Sequence, residues 1–292
     1  MSYLCEDLLV ELGTEELPPT ALRALSESLE EGVTARLRGH GLAFGAVERF
    51  ASPRRLGLLV RDLGSRQQET VRRGPAVRAS FEPDGKPTRA AEGFARSCGV
   101  RVEDLERERT DKGEWLLYRG HRVGAETVSL VPELLEQALS SLPIPKRMRW
   151  GDGDAEFVRP VHWVCLIYGD RPIEGHILGV KAAPHTRGHR FHHPEAIPLE
   201  RAGDYGERLR AQGRVEPSFE RRRQMILDQV SRVCADEGLI PQLDPDLLDE
   251  VTALVEWPSA ILGRFDEVFL SVPSEVLVET MQKHQRYFPV RR

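Results

Sequence analysis

The segment DLLVELGTEELPP, residues 7–19, constrains the fold most strongly, because it joins a strand signal directly to a helix start. Its apolar run has the length of a buried strand, and the double proline favours the first turn of a helix. The following segment, ALRALSESLEEGVTARLRGHG, repeats apolar residues at helical spacing until Gly39 and Gly41. Two strand candidates, AVERFASP and RRLGLLVRDL, then join at Ser52 and Pro53. This β-α-β-β order predicts a helix packed on a small antiparallel sheet.

Strand and helix patterns alternate along the rest of the chain. A helix is predicted from about Thr88, a strand in GEWLLYRGHRVG, and a proline-terminated helix in ETVSLVPELLEQALSSLPIP. The segment KRMRWGDGD is a predicted turn that leads into two or three strands. After Pro194 we predict helices in PSFERRRQMILDQVSRVCADEG and PDLLDEVTALVEWP, and a helix running into a strand in SVPSEVLVETMQKHQRYFPV. The expected fold class is therefore α+β, with small mixed or antiparallel sheets, packed helices and a helix-rich C-terminal part.

The change of pattern after Pro194 predicts two regions. Residues 1–195 form an α+β N-terminal region, which can divide into two sub-domains with a break near 80–145. Residues 196–292 form a helix-rich α/β region. A chain of 292 residues is long enough for two compact units.

Composition narrows the class of protein. The longest strongly apolar stretch, VHWVCLIYG, is too short to span a bilayer, so no membrane role is expected. The four cysteines lack paired spacing, which favours a reducing cytoplasm. The net charge is −5, but residues 6–31 hold eight acids against one base, whereas residues 53–78 hold seven arginines against two acids. This segregation indicates either a surface that faces an anion or ordinary solvated charge.

The segment HTRGHRFHHP, residues 185–194, concentrates four of the nine histidines. His185 and His189 have the spacing of a helical zinc pair, but the residue after the first histidine is Thr186, where a zinc hydrolase needs a glutamate. Gly188 and the flanking prolines argue against a rigid helix. Besides a metal site, two interpretations stay open: arginines and imidazoles that contact phosphates and bases, or a structural loop whose arginines pair with acids of the same fold.

Three carboxylates cluster in ELGTEELPP, at Glu11, Glu15 and Glu16. They lack the alternating spacing of calcium ligands, and two of them precede a helix start, where negative charge is favourable in any case. We interpret them as structural, with contact to a partner as the second choice.

Arginine-bearing turns are the other candidates for RNA contact, because RNA binding needs cations for phosphates and flat side chains for bases. In KRMRWGDGD, basic residues precede Trp150, which can alternatively cap the core. The basic residues that end the terminal helix also have a simpler explanation in the helix dipole. The candidate RNA-binding residues are Arg54, Arg55, Arg147, Arg149, Trp150, His185, Arg187, His189, Arg190, Lys283, His284 and Arg286. We predict neither catalytic residues nor metal ligands.

The sequence resembles the β-subunit of the bacterial two-subunit glycyl-tRNA synthetase. Segments that carry the resemblance occur in the family's order and cover nearly the whole chain, although 195–250 is matched more loosely. They are LLVELGTEELPP, FASPRRLGLLV, RRGPAV, FEPDGKPTRAAEGFAR, DKGEWLLY, PKRMRWGDGDAEFVRPVHWV, HTRGHRFHHP, VEWPSAILGRFDEVFLSVPSEVL and TMQKHQRYFPV.

The resemblance implies a component of glycine–tRNA ligase, which joins glycine to its tRNA using ATP in an α2β2 assembly. It implies that the α-subunit holds the adenylate-forming site with ATP and Mg²⁺, and that the β-subunit supplies tRNA recognition. The resemblance also implies that the family's HD-like and anticodon-binding regions are absent here, so this chain is expected to be an N-terminal fragment that does not read the anticodon. Because ATP and Mg²⁺ are expected on the α-subunit, this chain is expected to have no cofactor and no independent catalytic site. Two alternatives are a module that contacts protein partners without RNA, and a histidine-based metal hydrolase.

Overall fold

The computed structural model describes residues 4–66, 71–82, 85–110, 113–119 and 125–291. Strands β1–β6 are Cys5–Thr14, Val47–Ser52, Arg55–Gly64, Val71–Ala76, Glu106–Thr110 and Gly113–Arg119. Strands β7–β16 are Met148–Arg149, Glu156–Phe157, Val161–Tyr168, Arg171–Pro172, His176–Ile177, Val180–Lys181, His185–Arg187, Ala196–Pro198, Ile240–Pro241 and Val290–Arg291. Helices α1–α8 are Pro19–Gly39, Val77–Ser80, Arg89–Cys98, Thr127–Ser140, Tyr205–Arg208, Phe219–Asp236, Pro245–Leu254 and Ser274–Glu279. Tighter or wider helical turns lie at Val102–Asp104, Ala202–Asp204, Leu209–Gly213, Glu267–Ser271 and Thr280–His284.

A five-stranded antiparallel sheet, in the order β10-β9-β1-β3-β2, forms the centre of the fold. Strand β1 is buried on both faces, and successive side chains of a strand point to opposite sides. Leu8 and Val10 therefore pack with the apolar stripes of α1 and α4 in the main hydrophobic cluster. The predicted helix on a small antiparallel sheet is confirmed.

The opposite face of the sheet is covered by residues from the segment 196–215. Leu9 and Leu59 on this face form a second hydrophobic cluster with Ile197 and Tyr205. This cluster crosses the predicted boundary between 1–195 and 196–292, and the boundary itself stays a prediction.

A separate three-stranded sheet, in the order β4-β6-β5, packs with the short helices α2 and α3. The predicted strand GEWLLYRGHRVG ends at Arg119, and the rest of that segment lies outside the described residues. The arrangement of helices and small antiparallel sheets confirms the predicted α+β class. No helix in the described ranges combines the length and apolar character needed to cross a bilayer.

Candidate RNA-binding surface

The alternation of strand side chains places three polar anchors on the same face as the second hydrophobic cluster. On β1, Glu11 follows Leu9 at the strand period of two, and Arg55 of β3 has the same parity as Leu59. Trp163 of β9 likewise shares the parity of Cys165, which belongs to this cluster. The chain therefore directs a carboxylate, a guanidinium and an indole into one buried layer.

Arg55 is the centre of a buried hydrogen-bond network. Its side chain is fully buried, and Nη1 donates to Glu11 Oε1 at 3.2 Å and to the carbonyl of Arg187 at 3.1 Å. Nε donates to Ser52 Oγ at 2.9 Å, and Nη2 donates to Glu256 Oε1 at 3.1 Å. This guanidinium therefore joins β1, β2, β3, the histidine segment and the segment that follows α7, and solvent does not reach it.

The two carboxylates beside Arg55 differ in their electrostatic environment. Burial raises the pKa of Glu11 above its ordinary value, although the charge of Arg55 and hydrogen bonds from Thr186 and Tyr205 oppose that rise. Burial also acts to raise the pKa of Glu256, but Arg55 and the hydrogen bond from Ser52 hold it below its ordinary value. Glu256 is therefore the main ionic partner of Arg55.

The segment 185–194, which we call the histidine loop, is anchored to this network at several points. Thr186 Oγ1 donates to Glu11 Oε1 at 2.7 Å, and β13 pairs with β14. The amide of His189 donates to the carbonyl of Gly213 at 2.8 Å. Gly188 permits this approach, because a β carbon there would be 2.9 Å from both the α carbon and the carbonyl oxygen of Gly213. The segment is a short strand followed by turns, as the glycine and prolines predict.

The tip of the histidine loop presents a group of rings. Phe191 is 81% exposed. The ring of His189 lies 6.0 Å from that of Phe191 and 4.5 Å from that of His192, measured between centroids. Nδ1 of His189 accepts the backbone amides of Phe191 at 3.2 Å and His192 at 3.4 Å. Desolvation lowers the pKa of His189, and nearby cationic groups add to this effect against the opposing charge of Glu256. A neutral imidazole is what these two amide donors require.

A network of charged side chains lies beside the histidine loop. Arg190 contacts Glu15 Oε2 through Nη2 and Glu16 Oε1 through Nη1, both at 2.8 Å. His162 Nε2 lies 2.9 Å from the other oxygen of Glu15. Desolvation acts to raise the pKa of Glu15, but hydrogen bonds from Arg190 and His162 hold it below its ordinary value. The positive charge of Arg190 is therefore offset by the carboxylates of Glu15 and Glu16.

Arg54 completes this network from the turn before β3. Its guanidinium carbon lies 5.8 Å from the centroid of the Trp163 ring, and its Nε lies 3.9 Å from Glu16 Oε1. Within the described part of the chain, this buried Nε finds no hydrogen-bond acceptor. Burial, together with the neighbouring Arg190, lowers the pKa of Arg54 against the opposing charge of Glu15. Arg54 is thus packed under the histidine loop, with 14% of its side chain exposed.

The candidates from KRMRWGDGD lie on the hairpin of β7 and β8. Arg147 donates to the carbonyls of Ser140 at 2.9 Å and Leu139 at 3.3 Å, so it caps the C-terminal end of α4. Trp150 is partly buried and packs against the main hydrophobic cluster. Arg149 is 64% exposed and lies 3.7 Å from Asp154. Arg149 is the candidate of this hairpin with the freest access to a ligand.

The candidates near the end of the chain form ion pairs with neighbouring carboxylates. Lys283 Nζ contacts Glu279 at 2.7 Å, and Arg286 Nε contacts Glu250 at 2.8 Å. His284 is exposed in the same turn. In the ranges that the structure describes, we find neither a hydrogen bond nor an ion pair that joins this group to the hairpin or to the histidine loop.

The structure thus brings together the candidates of the turn at 53–55 and the histidine loop. Arg55 is left out of the candidate surface because its guanidinium is fully buried. Half-buried His185 begins β13, and Arg187 is exposed. Among the described side chains, no three histidine, cysteine, aspartate or glutamate residues converge on a metal position.

Sequence reasoning did not single out Phe191, His162, Trp163 or Glu256. For Phe191 the sequence did offer a signal, because an aromatic residue between histidines, in a loop bounded by glycine and proline, indicates an exposed ring. The strand parity of Trp163 was another, because it matches that of Arg55 and Glu11. Glu256 carries no such signal, since 201 positions separate it from Arg55.

Comparison with known proteins agrees with the sequence resemblance. The model of a family described as glycyl-tRNA synthetase beta subunit matches residues 8–292. The chain is 49% identical over 288 residues to the glycine–tRNA ligase beta subunit of Marinobacter nauticus, covering 98% of this chain and 42% of the relative. It is 46% identical over 287 residues to that of Hahella chejuensis, with the same coverage of 98% and 42%. For Klebsiella pneumoniae the identity is 49% over 284 residues, covering 97% and 41%. The chain spans about two fifths of the length of these curated relatives, and it belongs to the glycyl-tRNA synthetase beta subunit family.

Proposed function

We propose that this chain contributes a tRNA-binding surface to a glycine–tRNA ligase and takes part in its assembly with a separate α-subunit. Family membership supports the ligase role, since the matched relatives are named glycine–tRNA ligase beta subunits. In this proposal, ATP and Mg²⁺ act on the α-subunit, and the present chain binds and positions RNA without making or breaking bonds.

The exposed ring of Phe191 carries the proposal for RNA contact. Phe191 has 81% of its surface in solvent and lies in a group of rings with His189 and His192, and an unpaired base stacks on such exposed rings. The histidine loop holds this ring on a pre-ordered support through Thr186 and His189. Pre-ordering reduces the entropy lost when a ligand binds.

Cations beside the ring supply the second requirement of an RNA surface. Arg187 is exposed on the same loop, and Arg190 is partly exposed in its ion pairs with Glu15 and Glu16. Arg149 on the β7–β8 hairpin is a further exposed candidate. In this proposal, phosphates bind Arg187 directly and compete with the two carboxylates for Arg190.

Binding of a glycine-specific tRNA transcript to the purified chain, followed by fluorescence anisotropy over a range of salt concentrations, tests this proposal. Phe191→Ala is expected to weaken binding about tenfold, the loss of one base–ring stack. Arg187→Ala is expected to weaken it about threefold and to lower the salt slope by about one. Arg109→Ala is the matched control, because Arg109 is 88% exposed on the separate three-stranded sheet.

Binding that is absent or insensitive to salt would refute the RNA proposal and favour the alternative of a module that contacts protein partners. Equal losses in Arg187→Ala and Arg109→Ala would show a diffuse charge effect and would remove the histidine loop from the proposal.

A further inference from the structure

Residues 261–287, which we call the C-terminal apolar segment, expose many large apolar side chains. Ile261 is 88% exposed, Val268 and Leu270 are each 66% exposed, and Phe269 and Val276 are each 52% exposed. The segment contains the turn Glu267–Ser271, helix α8 and the turn Thr280–His284, and every residue of these elements is at least partly exposed. Scattered single apolar residues are normal on a protein surface, but such a concentration marks an interface.

Both ends of the C-terminal apolar segment are fixed to the body of the protein. At its start, the amide of Ala260 donates to Gln229 Oε1 at 2.9 Å, which anchors it to α6. At its end, Arg286 contacts Glu250 of α7 at 2.8 Å, and β16 pairs with β15. The backbone that carries the apolar side chains is therefore attached at both ends to the rest of the protein.

The longer relatives indicate what covers this surface. This chain matches the N-terminal part of polypeptides of which it covers about 42%, so in those relatives more than half of the subunit follows the matched region. The last strand pairs with Ile240–Pro241, which places the end of the matched region close to the anchors of the apolar segment. A covalently linked partner at this position has a high effective concentration, which a second copy or a separate subunit lacks.

We propose that the C-terminal apolar segment is the docking surface for the part of the beta-subunit polypeptide that follows the matched region in the longer relatives. Phe269 and Leu270 are the central contacts, because aromatic and large aliphatic side chains dominate the buried centre of interfaces. The inference rests on family membership and on the exposed segment, and it is independent of RNA binding by the histidine loop.

Hydrogen exchange tests the docking surface. The 292-residue chain is compared with a chimera in which it continues into the part of the Marinobacter nauticus subunit that follows its matched region. Amides of residues 261–287 are expected to exchange at least tenfold more slowly in the chimera, while amides of β1 are unchanged. The double substitution Phe269→Ser and Leu270→Ser is expected to restore fast exchange in the chimera.

Phe191→Ser is the matched control, because it also removes an exposed phenylalanine. In the chimera, Phe191→Ser is expected to leave the protection of residues 261–287 intact and to weaken tRNA binding. The double variant is expected to abolish this protection and to leave tRNA binding unchanged. If the β1 amides of the chimera lose protection, the same comparison is made with the intact Marinobacter nauticus subunit and its counterpart segment.

Fast exchange of the segment in a folded longer polypeptide would overturn the inference. It would also be overturned if sedimentation showed the 292-residue chain to be a dimer that the double substitution dissociates, since a second copy would then be the occupant. Protection that appears only when the α-subunit is added would likewise assign the surface to that subunit.

Discussion

The indole of Trp163 lies directly over the backbone of Gly13, so that a β carbon at position 13 would be 1.8 Å from Cε2 of the ring. Gly13 is also the residue of β1 that pairs with Arg55 on one side and Trp163 on the other. The absent side chain lets the indole reach across β1, where Nε1 donates to Glu11 Oε2 at 3.1 Å. The buried network beneath the histidine loop therefore depends on a glycine near the end of the central strand of the sheet.

Gly13→Ala is expected to lower the free energy of unfolding by about 3 kcal/mol, because the ring must move and the Glu11 bond is lost. Urea unfolding monitored by tryptophan fluorescence measures the change. The control is Gly93→Ala in the middle of α3, where nothing lies within 4 Å of the added carbon. That substitution is expected to raise the free energy of unfolding by up to about 1 kcal/mol, because alanine favours the helix. Similar destabilisation by both would contradict the packing argument.

Arg55→Gln is expected to lower the free energy of unfolding by about 4 kcal/mol, because it leaves Glu256 ionised and buried without its cation. Arg61→Gln on the same strand is the matched control. Arg61 also pairs with two carboxylates, those of Asp7 and Glu48, but 36% of its side chain is exposed, so a cost below about 1 kcal/mol is expected. If thermal or urea unfolding showed the same decrease in the free energy of unfolding for both substitutions, burial would not be the reason that the Arg55 network stabilises the protein.

The central sheet was predictable because the apolar residues of its long strands and of the first helix occur in runs or at spacings that are typical of those elements. Arg55 was assigned to a surface for a physical reason: an arginine after a proline turn is usually solvated, and burial needs carboxylates in place. Those carboxylates come from Glu11 and from Glu256, so the sequence around Arg55 shows half of the network at most. The parity shared by Arg55 and Leu59 was the one local signal of burial.

Strand β5 was missed because its sequence, ERERT, offers no apolar face. Its side chains are partly or fully exposed, and its position depends on pairing with β6. The sequence likewise did not predict that the turn at 53–55 lies close to the histidine loop in the candidate surface. This proximity arises because β3, β1 and β9 are adjacent in the sheet, an order that sequence patterns leave open.

The stability of the protein is expected to fall as the pH falls through the range in which His189 titrates. The folded pKa of His189 lies below its ordinary value of 6.5, so the unfolded chain binds the proton first. The contribution is therefore fully present well above pH 6.5 and is lost as the pH falls through the folded pKa. Glu256, whose pKa is also lowered, adds a loss below its ordinary value of 4.5 for the same reason.

His189→Asn isolates the histidine from the carboxylate in this pH dependence. The asparagine oxygen can accept the amides of Phe191 and His192 in place of Nδ1, but it does not titrate. Thermal unfolding of the two proteins from pH 8 to pH 4 is expected to show a weaker loss of stability in the variant as the pH falls below 6.5, and an equal further loss below pH 4.5. Identical profiles throughout would exclude His189 as the source.

Neutralising the carboxylates that hold Arg190 is expected to strengthen tRNA binding. Glu15 and Glu16 each lie 2.8 Å from a nitrogen of Arg190, so phosphates must compete with them for this guanidinium. In Glu15→Gln with Glu16→Gln, Arg190 keeps hydrogen-bond partners but loses the competing negative charge, and we expect affinity to rise about fivefold at low salt. The control removes two negative charges from the separate small sheet region, in Glu103→Gln with Asp104→Asn, and a rise below about twofold is expected there. Weaker binding in the first double variant would show that these carboxylates position the histidine loop for RNA, instead of competing with it.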